Sequence, residues 1–171
     1  MDLNPALTTL AGNVRGIVFD VDGVLTDGRI IYSDDGHELK AFNVQDGASI
    51  KLLQQHQIEV AIVTGRRSPM VARRARELGI TFLVQGAQSK AAALDKLIEQ
   101  GFPDAHNAAV GDDIQDIAVF AHPSVALSIS VPNAHPAALA KAHWVTTRSG
   151  GDGVVVEIAE VLLKAQGSWP F

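Results

Sequence analysis

Short apolar runs alternate along this chain with longer stretches whose apolar positions recur at three- and four-residue spacing. The short runs fall at residues 14–20, 58–64, 80–84, 107–110, 124–130 and 143–147. Apolar runs of that length, bounded by turn residues, predict strands buried on both faces. Between them the spacing predicts helices. One covers about residues 48–57, with Ile50 and Leu53 inward. A second follows Ser68-Pro69, an N-cap and a first-turn proline, with Val71, Ala75 and Leu78 on one face and Gly79 as its stop. A third follows Ser89, carries Ala93, Leu94, Leu97 and Ile98, and ends at Gly101. Shorter helices are predicted at 114–121 and 134–142, and a final one carries Val155, Ile158, Ala159 and Leu162. Residues 1–13 read as a short helical or irregular lead-in. Strands alternating with helices in this way predict an α/β fold, a doubly wound parallel sheet with right-handed crossovers.

One segment breaks the alternation. Two β-prone pieces flank Ser33-Asp34-Asp35-Gly36 between Arg29 and Phe42, the signature of a β-hairpin. It follows the first strand directly, so it should project from that strand's carboxyl end. No internal repeat, low-complexity segment or composition break divides the chain, and residues 1–171 are expected to form a single domain.

Composition narrows the function. The chain has 171 residues, 47% hydrophobic and 19% charged, as a folded domain should. It contains no cysteine, which excludes disulfides and thiolate metal sites and fits a reducing compartment. A net charge of −5 offers nucleic acid no overall attraction. No apolar stretch approaches the roughly 18 residues that span a bilayer, and no basic region precedes the first apolar residues. A cytoplasmic protein without nucleic-acid or membrane partners is expected. The six histidines are scattered without ligand spacing.

The chemistry concentrates at strand ends. The first strand runs into Asp20-Val21-Asp22-Gly23, and the second ends in Thr64-Gly65-Arg66. Lys90 opens a helix, and the fourth strand runs into Gly111-Asp112-Asp113. In a parallel sheet these all fall on one edge, where ligands of open α/β sheets bind. Asp20 and Asp22 alone could be an acidic turn. Two such close carboxylates nevertheless repel unless a proton or cation intervenes, and Mg²⁺, a hard ion with oxygen ligands, suits them. Carboxylates, a hydroxyl, a lysine and helix starts together are the equipment of phosphoryl transfer.

With these residues the chain resembles the haloacid dehalogenase superfamily. The match is to four motifs in order: DVDGVLTD from Asp20 to Asp27, VTGR from Val63 to Arg66, Lys90, and GDDIQD from Gly111 to Asp116. The resemblance implies that Asp20 is a nucleophile forming an aspartyl-phosphate and Asp22 the general acid and base. It implies that Thr64 and Lys90 bind phosphoryl oxygens, and that Mg²⁺ is held by Asp20, the backbone carbonyl of Asp22, and Asp112. Asp113 is open between a hydrogen bond to Lys90, a supporting place near the metal, and an N-cap for the helix from Ile114. An acid at Asp22 favours a phosphatase or mutase over an ATPase or dehalogenase.

Too few residues separate the motifs for the cap domain that most phosphatases of this superfamily carry. The hairpin is the candidate replacement, and hairpins stacked from several subunits point to a homotetramer. The missing cap also argues against a mutase, which must exclude water. From about Val14 to Gly167 the chain resembles the 3-deoxy-D-manno-octulosonate 8-phosphate phosphatase family, which hydrolyses that phosphorylated keto sugar acid in lipopolysaccharide precursor synthesis. The resemblance rests on DVDGVLTDGRIIYSDDGHELKAFNVQDG, TGRRS, the Ala134-His135-Pro136 triplet and SGGDGVVVEIAEVLLKAQG. It implies that Asn43, Asp46, Gly47, Gly65, Arg66 and Arg74 line or support the sugar-acid site, the arginines suiting a carboxylate. Gln45 and Val156 replace arginines common in that family, which keeps a nine-carbon keto acid phosphate open as the alternative substrate. The tail from Gln166 to Phe171, with Trp169, is expected to insert beside a neighbour's site. A non-enzymatic alternative is a phosphoacceptor receiver, which also places Asp, Thr and Lys at strand ends.

Overall fold

A computed structural model describes residues 4–171. Its first strand, β1 (Gly16–Phe19), is buried throughout and pairs in parallel on both sides. One neighbour is β4 (Glu59–Thr64) and the other is β6 (Asn107–Val110). Outside β4 lies β5 (Phe82–Gln85); outside β6 come β7 (Val125–Ser130) and β8 (Trp144–Val145). The order β5-β4-β1-β6-β7-β8, all parallel, is the doubly wound sheet expected from the alternation. The small hairpin sheet consists of β2 (Ile31–Tyr32) and β3 (Glu38–Leu39), antiparallel around Ser33–Gly36.

Helices flank the sheet in two groups. The last helix, α7 (Val154–Ala165), packs against α1 (Pro5–Gly12) and α2 (Val44–Gln55). Beside α2 lies α3 (Pro69–Leu78), whereas α4 (Lys90–Glu99) packs on β4 and against the four-residue α5 (Ile117–Phe120). The shortest, α6 (Pro136–Leu139), follows β7. Their starts are capped as the sequence requires: Asn43, Ser68 and Ser89 each accept a first-turn backbone N–H. The helix expected at 114–121 divides, because Asp113 and Asp116 close a capping box around a 3-10 turn, Ile114–Asp116, before α5 begins. The lead-in resolves as α1, with Asn4 as its cap.

After α7 the chain turns back at Ser168, and Phe171 at its end is exposed. The Ser168 N–H donates to the Leu163 carbonyl, so Trp169 half-buries against the core beneath Phe171 and Lys164.

Between β1 and the hairpin the backbone closes on itself: the Val21 carbonyl accepts N–H groups from Val24, Leu25 and Thr26. A glycine loop, residues 149–153, presses on this turn from below. A Cβ at Gly150 would stand 1.7 Å from the Gly23 carbonyl oxygen. Glu157 in α7 holds the loop's entry, its carboxylate accepting from the Thr147 N–H, the Thr147 hydroxyl and the Arg148 N–H. The contact at Gly150 is with backbone, which cannot rotate aside. Gly150→Ala should therefore destabilise the fold by about 1–3 kcal/mol, the range for overpacking, read as a lowered midpoint in urea unfolding.

Candidate active site

At the carboxyl ends of β1, β4 and β6 lies a cleft of about 570 Å³. Asp20, Asp22, Thr64, Gly65, Arg66, Lys90, Asp112 and Asp113 line it, joined by Gly28, Ala87, Gln88 and Gln115. The strand-end motifs thus meet in one place. Asn43, Asp46, Gly47 and Arg74 do not line it.

The centre of the cleft is an ion-pair knot. Lys90, at the first position of α4, is buried and reaches Asp20 Oδ1 at 2.8 Å and Asp116 Oδ1 at 2.7 Å. The other Asp116 oxygen accepts the backbone N–H groups of Asp112 and Asp113, each at 3.0 Å. Asp113 instead caps the 3-10 turn through the Ile114 N–H at 2.7 Å. Of the roles left open for Asp113, the structure shows the N-cap, and the partner of Lys90 is Asp116. Asp116, within GDDIQD, is the site residue that the strand-end pattern does not single out. Its signal was the i, i+3 relation to Asp113, a capping-box pattern.

Three carboxylates, from Asp20, Asp112 and Asp116, offer ligand atoms within 4.8 Å of one another, and one ammonium faces them. Burial pushes the Asp20 carboxyl up to about 6, with repulsion from Asp116 adding to it and Lys90 opposing. Burial likewise pushes Asp112 up to about 7, reinforced by Asp20 and Asp116. Lys90 is raised: burial pulls it down, but the two aspartates outweigh that. The crowding marks a missing positive charge. Asp112 Oδ1 is buried with no hydrogen-bond partner among the described residues, and Gly23, at φ 97°, leaves the Asp112 carboxylate room that a Cβ would fill. A divalent cation with oxygen ligands fits this donor set. Asp116 is occupied on both oxygens, so Asp20 and Asp112 are the side chains free to serve it.

Thr64 is buried, its hydroxyl accepting the Arg66 N–H at 3.3 Å. Asp22 keeps a partly exposed side chain between two cations. Lys40 donates to its Oδ1, and Arg66 Nε stands 3.7 Å from its Oδ2.

The residues outside the cleft support it. Asp46 accepts the N–H groups of Val155, at 2.8 Å, and Val156, at 3.3 Å, across a sequence gap of more than a hundred residues. A carboxylate at the start of α7 is favoured by the exposed N–H groups there, and this turns Asp46 away from the cleft. Arg74 donates to the Asn43 carbonyl at 3.2 Å, lies 5.8 Å from the centre of the Phe42 ring, and covers Gly47. Asn43 caps α2 through its side-chain oxygen. These four residues brace the segment that leads from the hairpin into α2.

Breaking the knot should be costly. Asp116→Ala removes one of two Lys90 partners and leaves two backbone N–H groups without an acceptor. We expect a loss of about 3 kcal/mol, the low end for breaking a buried pair, measured by urea unfolding, together with impaired turnover.

Comparison with known proteins agrees with this geometry. A family model described as haloacid dehalogenase-like hydrolase matches residues 81–158. The chain is 44% identical over 166 residues to the 3-deoxy-D-manno-octulosonate 8-phosphate phosphatase KdsC of Salmonella typhimurium, covering 96% of this chain and 87% of that one. It superposes on the crystal structure of the same phosphatase from Yersinia pestis with a TM-score of 0.92 at 42% identity, covering 97% of this chain and 89% of that one. The corresponding enzyme of Moraxella catarrhalis, solved in complex with magnesium ion, phosphate ion and KDO, matches at TM-score 0.88 and 42% identity, covering 94% of this chain and 92% of that one. A phosphatase family of this kind leaves no place for the receiver alternative. The chain belongs to the 3-deoxy-D-manno-octulosonate 8-phosphate phosphatase family of haloacid dehalogenase-like hydrolases.

Proposed function

We propose that this chain, acting as one domain, hydrolyses 3-deoxy-D-manno-octulosonate 8-phosphate to the free keto sugar acid and phosphate. The observation that carries the reading is the cleft itself. It brings Asp20, Asp22, Thr64, Lys90 and Asp112 together in a chain of this family. The reaction belongs to lipopolysaccharide precursor synthesis, and we place it in the cytoplasm; no helix among the described residues is long and apolar enough to cross a membrane.

In this reading an Asp20 oxygen attacks phosphorus, and the bond from phosphorus to the sugar oxygen breaks. Asp22 gives its proton to that leaving oxygen, then takes one from the water that opens the aspartyl-phosphate. Water, sugar phosphate and enzyme thereby return as sugar, phosphate and enzyme. Lys90 has three donors, of which Asp20 and Asp116 use two, so one remains for a phosphoryl oxygen. The Thr64 hydroxyl supplies another donor at the same end of β4. Asp20, Asp112 and the Asp22 carbonyl would hold Mg²⁺, which would supply positive charge between the carboxylates and the phosphate. Arg66, partly exposed at the rim, turns Nη2 and Nε to Glu38 and Asp22 and supplies a cation for the substrate carboxylate, with the Gly65 backbone beside it.

The cleft has no cap, and the hairpin beside it carries Ile30, Ile31, Tyr32 and Leu39 exposed, with Tyr32 at 65%. Apolar residues grouped in this way are commonly covered by a partner. We place four copies together through their hairpins.

A panel of phosphate esters with added Mg²⁺ tests the activity. Phosphate release should be fastest from the eight-carbon keto acid phosphate, slower from a nine-carbon one, and lost in Asp20→Asn. Equal rates on glucose 6-phosphate would overturn the substrate assignment while leaving the hydrolase. Light scattering after gel filtration tests the assembly. The wild type should give the mass of a tetramer, and Ile31→Glu with Tyr32→Glu a smaller one.

A further inference from the structure

A second buried ammonium stands beside the cleft and has no part in the scheme above. The Lys40 side chain is 2% exposed and lies at the end of the hairpin, one residue beyond β3. It donates to Asp22 Oδ1 and lies 3.0 Å from Glu38 Oε1. The other Glu38 oxygen accepts Arg66 Nη2 at 2.7 Å, and Arg66 Nε returns to within 3.7 Å of Asp22 Oδ2. Two carboxyl groups and two cations therefore close a ring drawn from three places in the chain.

Burying a lysine is costly unless it is well paired. A two-residue strand needs no such group, since a hairpin is held by its backbone pairing. The unequal treatment of the two Asp22 oxygens suggests a purpose. Oδ1 is taken by Lys40, whereas Oδ2 accepts no hydrogen bond among the described residues. A carboxyl that must deliver a proton needs one oxygen anchored and the other free.

We propose that Lys40 is a positioning residue for Asp22, fixing Oδ1 so that Oδ2 is held against the leaving oxygen of the substrate. The proposal rests on Asp22 acting as the acid. In the step it serves, Asp20 forms a bond to phosphorus, the ester bond breaks, and the Oδ2 proton passes to the departing oxygen. Asp22 is then a carboxylate still paired to Lys40, in place to take a proton from water. Glu38 holds Lys40 from the other side, which ties the acid to the hairpin.

Leaving groups of different basicity separate positioning from simple anchoring of the hairpin. We would measure kcat/KM, which extends only to the first irreversible step, for the full chain with Mg²⁺ on p-nitrophenyl phosphate, phenyl phosphate and 3-deoxy-D-manno-octulosonate 8-phosphate. p-Nitrophenolate departs without a proton; the sugar alkoxide does not. Lys40→Met should lower kcat/KM on the sugar phosphate about 10- to 100-fold, the cost of a misplaced or lost acid. On p-nitrophenyl phosphate the loss should stay within about threefold, with phenyl phosphate between. Lys40→Gln, which keeps a donor, should show the same order with smaller losses. It also carries the test if the methionine variant fails to fold. Asp22→Asn is the reference. If it discriminates between leaving groups and neither Lys40 variant does, the positioning role is overturned and the acid stands. If Asp22→Asn lowers all three substrates equally, the assignment of the acid itself fails.

Discussion

Three carboxylates crowded around one buried ammonium set the terms for the whole structure. Water would hold such groups apart; the fold gathers them where three parallel strands end together. Each is fixed by local structure. Asp20 follows a strand with neighbours on both sides, Lys90 sits on a helix capped by Ser89, and Asp116 is locked by its own capping box. The repulsion among them is therefore carried by the packing of the sheet and its helices. That stored unfavourable charge is what makes the site receptive to a cation and to the phosphoryl group the cation accompanies.

The arrangement also explains the closeness of the surrounding backbone. The turn after β1 is folded on the Val21 carbonyl, the Asp112 carboxylate leans on it at Gly23, and the glycine loop supports it at Gly150. A nucleophile at a strand end could sway with its loop. Here the loop is held on two sides, one of them by the chain's last helix through Glu157. Residues distant in sequence are thus spent on keeping a few atoms of Asp20 and its neighbours still, as reaction geometry requires.

The strands and most helices were legible because each is announced locally, by an apolar run or by a cap with a matching face. The strand at 107–110 has the predicted bounds, and the edge strand at 144–145 only shrinks inside its predicted range. The meeting of the strand-end motifs followed from parallel topology alone. What stayed hidden depends on contacts that spacing cannot announce. Asp116 reaches Lys90 across 26 residues, and only once a 3-10 turn replaces the expected helix start. Asp46 is expected to line or support the sugar-acid site by family resemblance alone, and nothing in its spacing announces that the start of α7, at the other end of the chain, holds its carboxylate. Lys40 read as one polar position in a hairpin, since its burial depends on how far the hairpin folds back over Asp22.

The two departures from the family pattern gain meaning from these contacts. Gln45 is exposed, and its structural contribution is a backbone N–H given to Asn43. Val156 likewise serves through its backbone, donating to Asp46. At both positions the side chain can change while the backbone contact persists, so an arginine there is dispensable to the fold. The buried knot admits no such freedom, because each of its groups is satisfied by another's side chain. Gln45 and Val156 both lie outside the cleft lining, so their change leaves the phosphoryl end untouched. The chemistry sits at the sheet edge, with Arg66 and the hairpin at its open side.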